Sequence, residues 1–228
     1  MGESQCHRLM QKFGLQARIR QIRKTRPYTR HPLKDGLPDN ILDRNFRADI
    51  PMHRLLTDVT YVPYYEDGEY HWGYLSLVLD LYDRSIAAWV FSKHQDIGLA
   101  MDTLQILANK GFAEGAILHS DHGSIYTAQP FRDRLAALGV TQSLSRVANC
   151  HDNAPMECFN GTIKVEELNN PMFCKDKESF YEINARIERY IAFYNTERPC
   201  SVLNNLSPLE FRDQDHSDKA GLCEEACP

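Results

Sequence analysis

The sequence lacks the features of a membrane-bound, exported or disulfide-stapled protein. It has no run of about 18 apolar residues, so it predicts no membrane span. Its N-terminus has neither an apolar core segment nor a small-residue cleavage site, which argues against a signal peptide. The seven cysteines are an odd number and include no C-x-x-C pair, which argues against a disulfide framework or a zinc site. These absences predict a cytoplasmic protein in a reducing environment.

Acidic residues are missing from a long N-terminal stretch. No Asp or Glu occurs between Glu3 and Asp35, and residues 1–54 contain 12 Lys/Arg against 5 Asp/Glu, a net charge of +7. The rest of the chain contains 14 against 26, a net charge of −12, so the total is −5. This division predicts phosphate contacts by the basic segment and metal binding by the acidic body. The alternative for the basic segment is a solvated helix without a partner.

The first fifty residues predict one short helix and a linker. Leu9 and Phe13 have helical spacing, and Gly14 is suited to end the helix. Residues 25–54 are rich in Pro, Arg, Asn and Asp, and they are interpreted as a linker whose N-I-L-D-R-N-F segment docks on the next domain. The predicted domains are a partial helix-turn-helix with a basic linker (1–52), a core domain with a C-terminal helix (53–212) and an acidic, disordered tail (213–228).

The core sequence predicts an α/β fold in the order β-β-β-α-β-α-β-α-α. Alternating β-branched and aromatic residues indicate strands, and apolar residues at helical spacing indicate helices. The order predicts a mixed five-stranded sheet flanked by helices. The first and fourth strands must be neighbours if the acids that they carry, Asp58 and Asp121, are to meet. The strands are predicted at 55–62, 70–80, 85–92, 115–120 and 139–144, and the helices at 96–110, 128–138, from Asp152 or Asn153 onward, and at 176–195.

Three carboxylates occur on separate predicted elements. Asp58 lies within the first strand, Asp121 at the end of the fourth, and Glu157 on the helix after the fifth. Each alone has a structural explanation, as a hydrogen-bonded buried Asp, a turn Asp or a surface Glu. Together they suit hard divalent cations, and a pair of such ions supports phosphodiester cleavage. The combination therefore predicts a site for phosphoryl transfer on DNA.

Polar residues around the acids are candidates for DNA contact. Asn160 and Lys164 share a helix face with Glu157, at i+3 and i+7. His122 and Asn153 lie in the adjoining loops, where the alternatives are a polar strand end and a helix cap. The basic segment adds Arg18, Arg20, Arg23 and Lys24.

Two further acids are given structural interpretations. Asp80 ends a strand beside a turn, and Asp152 is interpreted as the cap of the helix that carries Glu157. Neither is therefore counted among the candidate metal ligands.

Four ordered motifs carry a family resemblance: T-D-V-T-Y, H-S-D-H-G-S-I-Y, S-R-V-A-N-C-H-D-N-A-P-M-E-C-F-N-G-T-I-K, and Y-I-A-F-Y-N-T-E-R-P followed by L-S-P-L-E-F. The sequence resembles bacterial insertion-sequence transposases with a retroviral-integrase-type core, in particular the insertion sequence three family, whose second reading frame encodes this core. The resemblance covers roughly residues 5–212. It departs from the family at Leu55, where Trp is usual, and at Cys200, where His is common.

The resemblance implies an RNase H-like fold and a D-D-(35)-E catalytic triad, carried by Asp58, Asp121 and Glu157. It implies cleavage of DNA at insertion-sequence ends and strand transfer, with two Mg²⁺ ions or Mn²⁺ as a substitute. The implied partners are DNA, further copies of the chain and an upstream-frame helix-turn-helix protein. Because members usually carry more of a helix-turn-helix before His7, the alternative is a non-catalytic DNA-binding remnant of a truncated transposase.

Overall fold

The computed structural model describes residues 3–14, 36–146, 149–170, 172–173 and 175–215. The chain divides into two compact units, Met1–Arg30 and His31–Pro228. In the first unit, helix α1 spans Glu3–Lys12 and is followed by Gly14, whose φ of 64° is a left-handed conformation that suits glycine. The predicted N-terminal helix is therefore confirmed.

Five strands of the second unit form one mixed sheet. Their bounds are β1 (Arg54–Glu66), β2 (Glu69–Asp80), β3 (Ile86–Ser92), β4 (Ile117–Ser120) and β5 (Thr141–Leu144). Strand β2 pairs antiparallel with both β1 and β3. Strand β4 pairs parallel with β1, and β5 pairs parallel with β4. The order in the sheet is β3-β2-β1-β4-β5, so the predicted five-stranded sheet and the contact between its first and fourth strands are confirmed.

Helices cover both faces of the sheet. Their bounds are α2 (Ile97–Ala108), α3 (Ser124–Thr127), α4 (Gln129–Ala137), α5 (Ala154–Ile163) and α6 (Phe180–Thr196). Local sequence features mark the start of three of these helices. Asp96 caps α2, a proline lies in the first turn of α4, and a Ser179–Glu182 capping box starts α6. Between α5 and α6 the chain forms a π-helix, Lys164–Leu168, which apolar spacing did not predict.

The two faces of the sheet have separate apolar cores, because side chains alternate along each strand. Leu56 packs on the face covered by α5 and α6, with Leu77, Met156, Ile163 and Ile187. Leu55, its neighbour, packs on the opposite face with Val78, Leu104 and Phe131, against α2 and α4. Asp58 follows Leu56 by two positions, so it faces the α5 side.

Residues 36–47, called the docking arm below, pack on the core. Leu42 is 2% exposed and joins the apolar core on the α5 side. The backbone N–H groups of Ile41 and Leu42 both donate to Ser143 Oγ, at 2.9 and 3.1 Å. The predicted docking of the N-I-L-D-R-N-F segment is therefore confirmed.

The C-terminal part of the described chain is helical over residues 208–215. From this segment Arg212 pairs with Asp80 and Asp83, which are fully buried in the β2–β3 connection. The structural interpretation of Asp80 is confirmed. The predicted tail starts within this helix, and its remainder, 216–228, lies outside the described residues.

None of the helices in the described part of the chain combines the length and apolar character needed to cross a bilayer.

Candidate active site

Asp58 lies in the middle of the sheet, on strand β1 opposite Leu77 of β2. Its Oδ2 accepts a hydrogen bond from Asn160 Nδ2 at 2.8 Å. The half-buried position raises the pKa of Asp58 to about 7, chiefly because surrounding protein removes water from the carboxylate. The negative charges of Asp121 and Glu157 raise this pKa further, whereas Lys164 and a backbone hydrogen bond lower it. The acid on β1 therefore lies in the electrostatic field of both other candidates.

Asp121 follows the last residue of β4 and is exposed. The parallel register pairs Leu56 with His119, so two further residues on each strand bring Asp58 and Asp121 to the same level. The Oδ1 atom of Asp121 accepts a hydrogen bond from Gly123 N at 2.8 Å. A Cβ at Gly123 would lie 2.9 Å from that oxygen, so a larger residue there would displace the Asp121 carboxylate from this position.

Glu157 lies in the first turn of α5 and is exposed. The opposite side of this helix is anchored in the core by Met156, Phe159 and Ile163, as the apolar spacing predicts. The pKa of Glu157 is raised because nearby protein removes part of the carboxylate's water, and His151 lowers it. The helix thus directs a carboxylate outward on the side of the sheet that Asp58 faces.

The three carboxylates are neighbours but are not gathered into one metal-binding group. Within the described residues, no cluster of three or more His, Cys, Asp or Glu side chains has the arrangement to hold an ion. Asp121 and Glu157 are exposed, which leaves their side chains room to change rotamer.

The predicted DNA-contact residues near the acids have protein partners. Asn160 is buried and bonds Asp58, while Asn153 is buried and donates to the Thr57 carbonyl at 3.4 Å. His122 donates from Nε2 to the Ser145 carbonyl at 2.6 Å. Lys164 is half-buried at the start of the π-helix and close enough to influence Asp58. Their contacts with DNA stay predictions, as do those of the basic-segment candidates, which lie outside the described residues (Arg18, Arg20, Arg23 and Lys24).

His119 belongs to the structural framework below Asp121. Its Nδ1 and Nε2 atoms lie 2.8 and 3.0 Å from the hydroxyls of Ser143 and Ser145. Burial lowers the pKa of His119 to about 4, so the ring is neutral at pH 7. These contacts make His119 part of the polar end of strand β4.

Of the two residues predicted to cap α5, Asn153 occupies the N-cap position but makes no side-chain capping bond, and the assignment of the cap to Asp152 is wrong. Asp152 is fully buried and instead accepts hydrogen bonds from Asn40, Arg44 and Arg146. The sequence did not predict these hydrogen bonds to Asp152, because two of the partners are more than 100 positions away. Only Arg146 is near in sequence, six residues upstream.

Two family models described as integrase core domain match residues 48–150 and 138–208. A transposase for insertion sequence element IS904 from Lactococcus lactis is 34% identical over 205 residues, covering 90% of this chain and 78% of that protein. The transposase InsF for insertion sequence IS3A from Escherichia coli K12 is 29% identical over 209 residues, covering 90% and 68%. Among solved structures, the magnesium-complexed catalytic core of HTLV-2 integrase has a TM-score of 0.55 at 16% identity, covering 72% of this chain and 99% of that one.

The sheet order and flanking helices therefore define an RNase H-like integrase core. The chain belongs to the insertion-sequence transposases that carry this core. The functional class that follows is DNA transposition and integration by a DDE-type polynucleotidyl transferase.

Proposed function

We propose that Asp58, Asp121 and Glu157 form the metal-dependent active site with which this transposase cleaves DNA at the ends of its element and joins them to a target. The observation that carries the proposal is the register of β1 and β4, which brings Asp58 level with Asp121. The raised pKa of Asp58 supports it, because the charges of the other two acids contribute to that shift. Three acids in one region of the sheet suit cations and repel DNA without them.

The donor chemistry fits a hard divalent cation. The three acids supply only oxygen, as Mg²⁺ prefers and as Mn²⁺ accepts. Beside them lie two buried amide oxygens, Oδ1 of Asn153 and Oδ1 of Asn160, which accept no hydrogen bond from the described residues. These oxygens suit the water shell that such a cation keeps. Two bound ions would supply activation of the attacking oxygen and stabilisation of the leaving oxygen.

The protein's own residues have distinct roles in this proposal. Asn160 holds Oδ2 of Asp58 in place, and the carboxylate oxygens keep lone pairs with which to bind a cation. Lys164 brings a positive charge close to Asp58, where it can bind a phosphate of the DNA backbone. The basic segment of residues 1–30, with 8 Lys/Arg and one acid, supplies the non-specific phosphate contacts that the acidic body lacks.

The proposed chemistry takes two balanced steps. Water attacks the phosphorus at the element's end, the P–O3′ bond breaks, and the departing oxygen leaves as a 3′-hydroxyl. That hydroxyl then attacks a phosphorus of the target, whose own 3′-oxygen leaves with a proton. Each step exchanges one P–O bond for another, so no covalent enzyme–DNA intermediate is needed. We further propose that several copies act together on paired ends, and that an upstream-frame helix-turn-helix protein assists end recognition.

The test uses labelled DNA from the flanks of the coding sequence, incubated with the full chain and Mg²⁺ or Mn²⁺. We expect Glu157→Gln to reduce cleavage and strand transfer at least about 100-fold, because it removes one ligand charge without changing shape. The matched control is Glu188→Gln, an exposed glutamate on α6, which should keep full activity.

Two binding measurements complete the test. Calorimetry should show weaker Mn²⁺ binding by Glu157→Gln, while DNA affinity stays the same or increases, because a negative charge is removed. Activity of Glu157→Gln close to that of the wild type would refute the triad. End-specific DNA binding without turnover by the wild-type chain would instead favour a non-catalytic DNA-binding remnant.

A further inference from the structure

Asp152 is the most heavily hydrogen-bonded acid near the proposed site. Its Oδ1 accepts from Arg44 Nε at 2.7 Å and from Arg146 Nη2 at 2.8 Å. Its Oδ2 accepts from Asn40 Nδ2 at 3.0 Å and from both the backbone N and the Nε of Arg146 at 2.9 Å. The guanidinium of Arg146 thereby holds the pKa of Asp152 well below its usual range. These four residues, Asn40, Arg44, Arg146 and Asp152, are called the Asp152 clamp.

The clamp holds the start of the helix that carries Glu157. Asp152 lies two residues before the first residue of α5 and five before Glu157. The next residue, Asn153, donates to the carbonyl of Thr57, the neighbour of Asp58 on β1. The beginning of α5 is thus attached on one side to the strand of the first acid and on the other to the docking arm.

The docking arm is itself held in an uncommon conformation. Asp43 and Arg44 have φ values of 41° and 60°, left-handed conformations that cost non-glycine residues about 1 kcal/mol or more each. A hydrogen bond from Asp43 N to Asn40 Oδ1 at 2.8 Å and the burial of Leu42 maintain this turn. The turn places Arg44 against Asp152. Because the docking arm is fixed by strain, burial and hydrogen bonds, a displacement of the arm can be transmitted through Arg44 to Asp152.

We propose that Asp152 is a positioning residue through which the docking arm sets the position of α5 and of its glutamate. Through Arg44 the arm fixes the start of α5, five residues before Glu157. The inference rests on the proposed function, because it assigns a positioning role at the same site. Arg44 and Asp152 touch neither the reacting atoms nor the metal ligands, and they act through the helix.

The test is the single-turnover rate of strand transfer, measured with full-length protein on saturating pre-cleaved DNA. Arg44 is suitable because its side chain is 44% exposed, so its replacement leaves the core intact. We expect Arg44→Gln to lower the maximal rate about tenfold with an unchanged half-saturating DNA concentration, since small displacements of a catalytic group cost up to about 100-fold. Arg44→Lys should recover part of the rate, because it restores one charged donor to Asp152.

The matched control is Arg47→Gln, which removes an exposed positive charge from the same arm. It should leave the maximal rate unchanged. The double variant Arg44→Gln/Asp152→Asn should be no slower than Asp152→Asn alone, because Arg44 acts only through Asp152. A rate of Arg44→Gln within about twofold of the wild type, or a change confined to the half-saturating concentration, would overturn the coupling.

Failure of this inference is distinguishable from failure of the proposed function. If Glu157→Gln is inactive while Arg44→Gln is as fast as the wild type, only the coupling is wrong. If Glu157→Gln keeps its activity, the triad itself is wrong. A fall in rate with Arg44→Gln that Arg44→Lys does not relieve at all would also count against the clamp, because Lys keeps the charge.

Discussion

At the scale of single residues, Asp58 shows the cost of placing an acid within a strand. A carboxyl group in the unfolded chain loses its proton near its ordinary pKa of 3.8, whereas the pKa in the folded protein is about 7. Between these values the folded state binds more protons, so the free energy of unfolding falls as the pH rises from about 4 to about 7. Above pH 7 the ionised Asp58 lowers stability by a constant amount in the absence of a cation.

This cost predicts a stabilising substitution. Without divalent cations, Asp58→Asn should raise the free energy of unfolding by on the order of 2 kcal/mol at pH 8, and the difference should vanish below about pH 4. Urea denaturation at several pH values measures it. The control is Asp67→Asn, which makes the same substitution at an exposed position of the β1–β2 turn. Equal differences at pH 8 and pH 4 would contradict the proposed origin of the shift.

The residues that could be assigned from sequence are those whose chemistry conflicts with their local setting. Asp58 was found because an acid in an apolar strand is unusual, and Glu157 because its spacing from Asp121 matched a family. Asp152 was misassigned because a local rule, helix capping, explained it sufficiently. Its actual partner Arg44 is 108 positions away, and no local pattern reports a contact of that kind.

At the scale of elements, the segment between α5 and α6 depends on buried charge. Arg186 of α6 is 5% exposed and bonds Glu167 of the π-helix and the buried Glu178. Nearby, Arg198 pairs with Glu166 of the same π-helix. These ion pairs attach the π-helix to α6, and so they anchor the C-terminal end of the helix that carries Glu157.

Loss of the buried Arg186 guanidinium should therefore lower the free energy of unfolding. Arg186→Ala leaves Glu178 without its partner in a buried position, and we expect a loss of about 3 kcal/mol in the free energy of unfolding at pH 7. The comparison is Arg189→Ala on the same helix, which is exposed and should change stability by less than about 0.5 kcal/mol. Similar denaturation midpoints for the two variants would show that the buried pair contributes little.

The elements followed the sequence where the signal is local, although β1 ends four residues later and α6 begins four residues later than predicted. Turn residues, capping residues and apolar spacing predicted the five strands and the larger helices, because these features act over a few neighbouring residues. The π-helix at Lys164–Leu168 was not predicted, since its extra residue per turn is maintained by Arg186 and Arg198 from elsewhere in the chain. Tertiary contacts, rather than spacing, decide that conformation.

At the scale of the whole molecule, charge is divided between the two units. Residues 1–30 carry a net charge of +7 and residues 31–228 a net charge of −12. An acidic body alone is repelled by DNA, so we expect attachment to depend on the basic unit and on cations at the active site. The sequence predicted this division directly, because charge counts need no knowledge of the fold.

Removing the basic unit should weaken DNA binding and its dependence on salt. We expect the fragment 31–228 to bind a DNA duplex at least about 100-fold more weakly than the full chain in 0.1 M salt, with a smaller slope of log affinity against log salt. Fluorescence anisotropy over a salt series measures both. A full-length variant with Gln at the four predicted contact positions (Arg18, Arg20, Arg23 and Lys24) should fall between the two. Identical slopes for all three proteins would refute a role for the basic unit.

The short parallel pairing of β1 and β4 also governs which length changes the protein can tolerate. Only three residue pairs, from Arg54–Ile117 to Leu56–His119, establish the level of Asp58 relative to Asp121. One residue inserted between Leu56 and Asp58 would turn the acid to the opposite face of the sheet. The connection between β3 and β4 could lengthen without such an effect, since loop closure costs grow slowly with length. Homologous transposases should therefore vary in length in their connections, and keep the count of residues constant along these two strands.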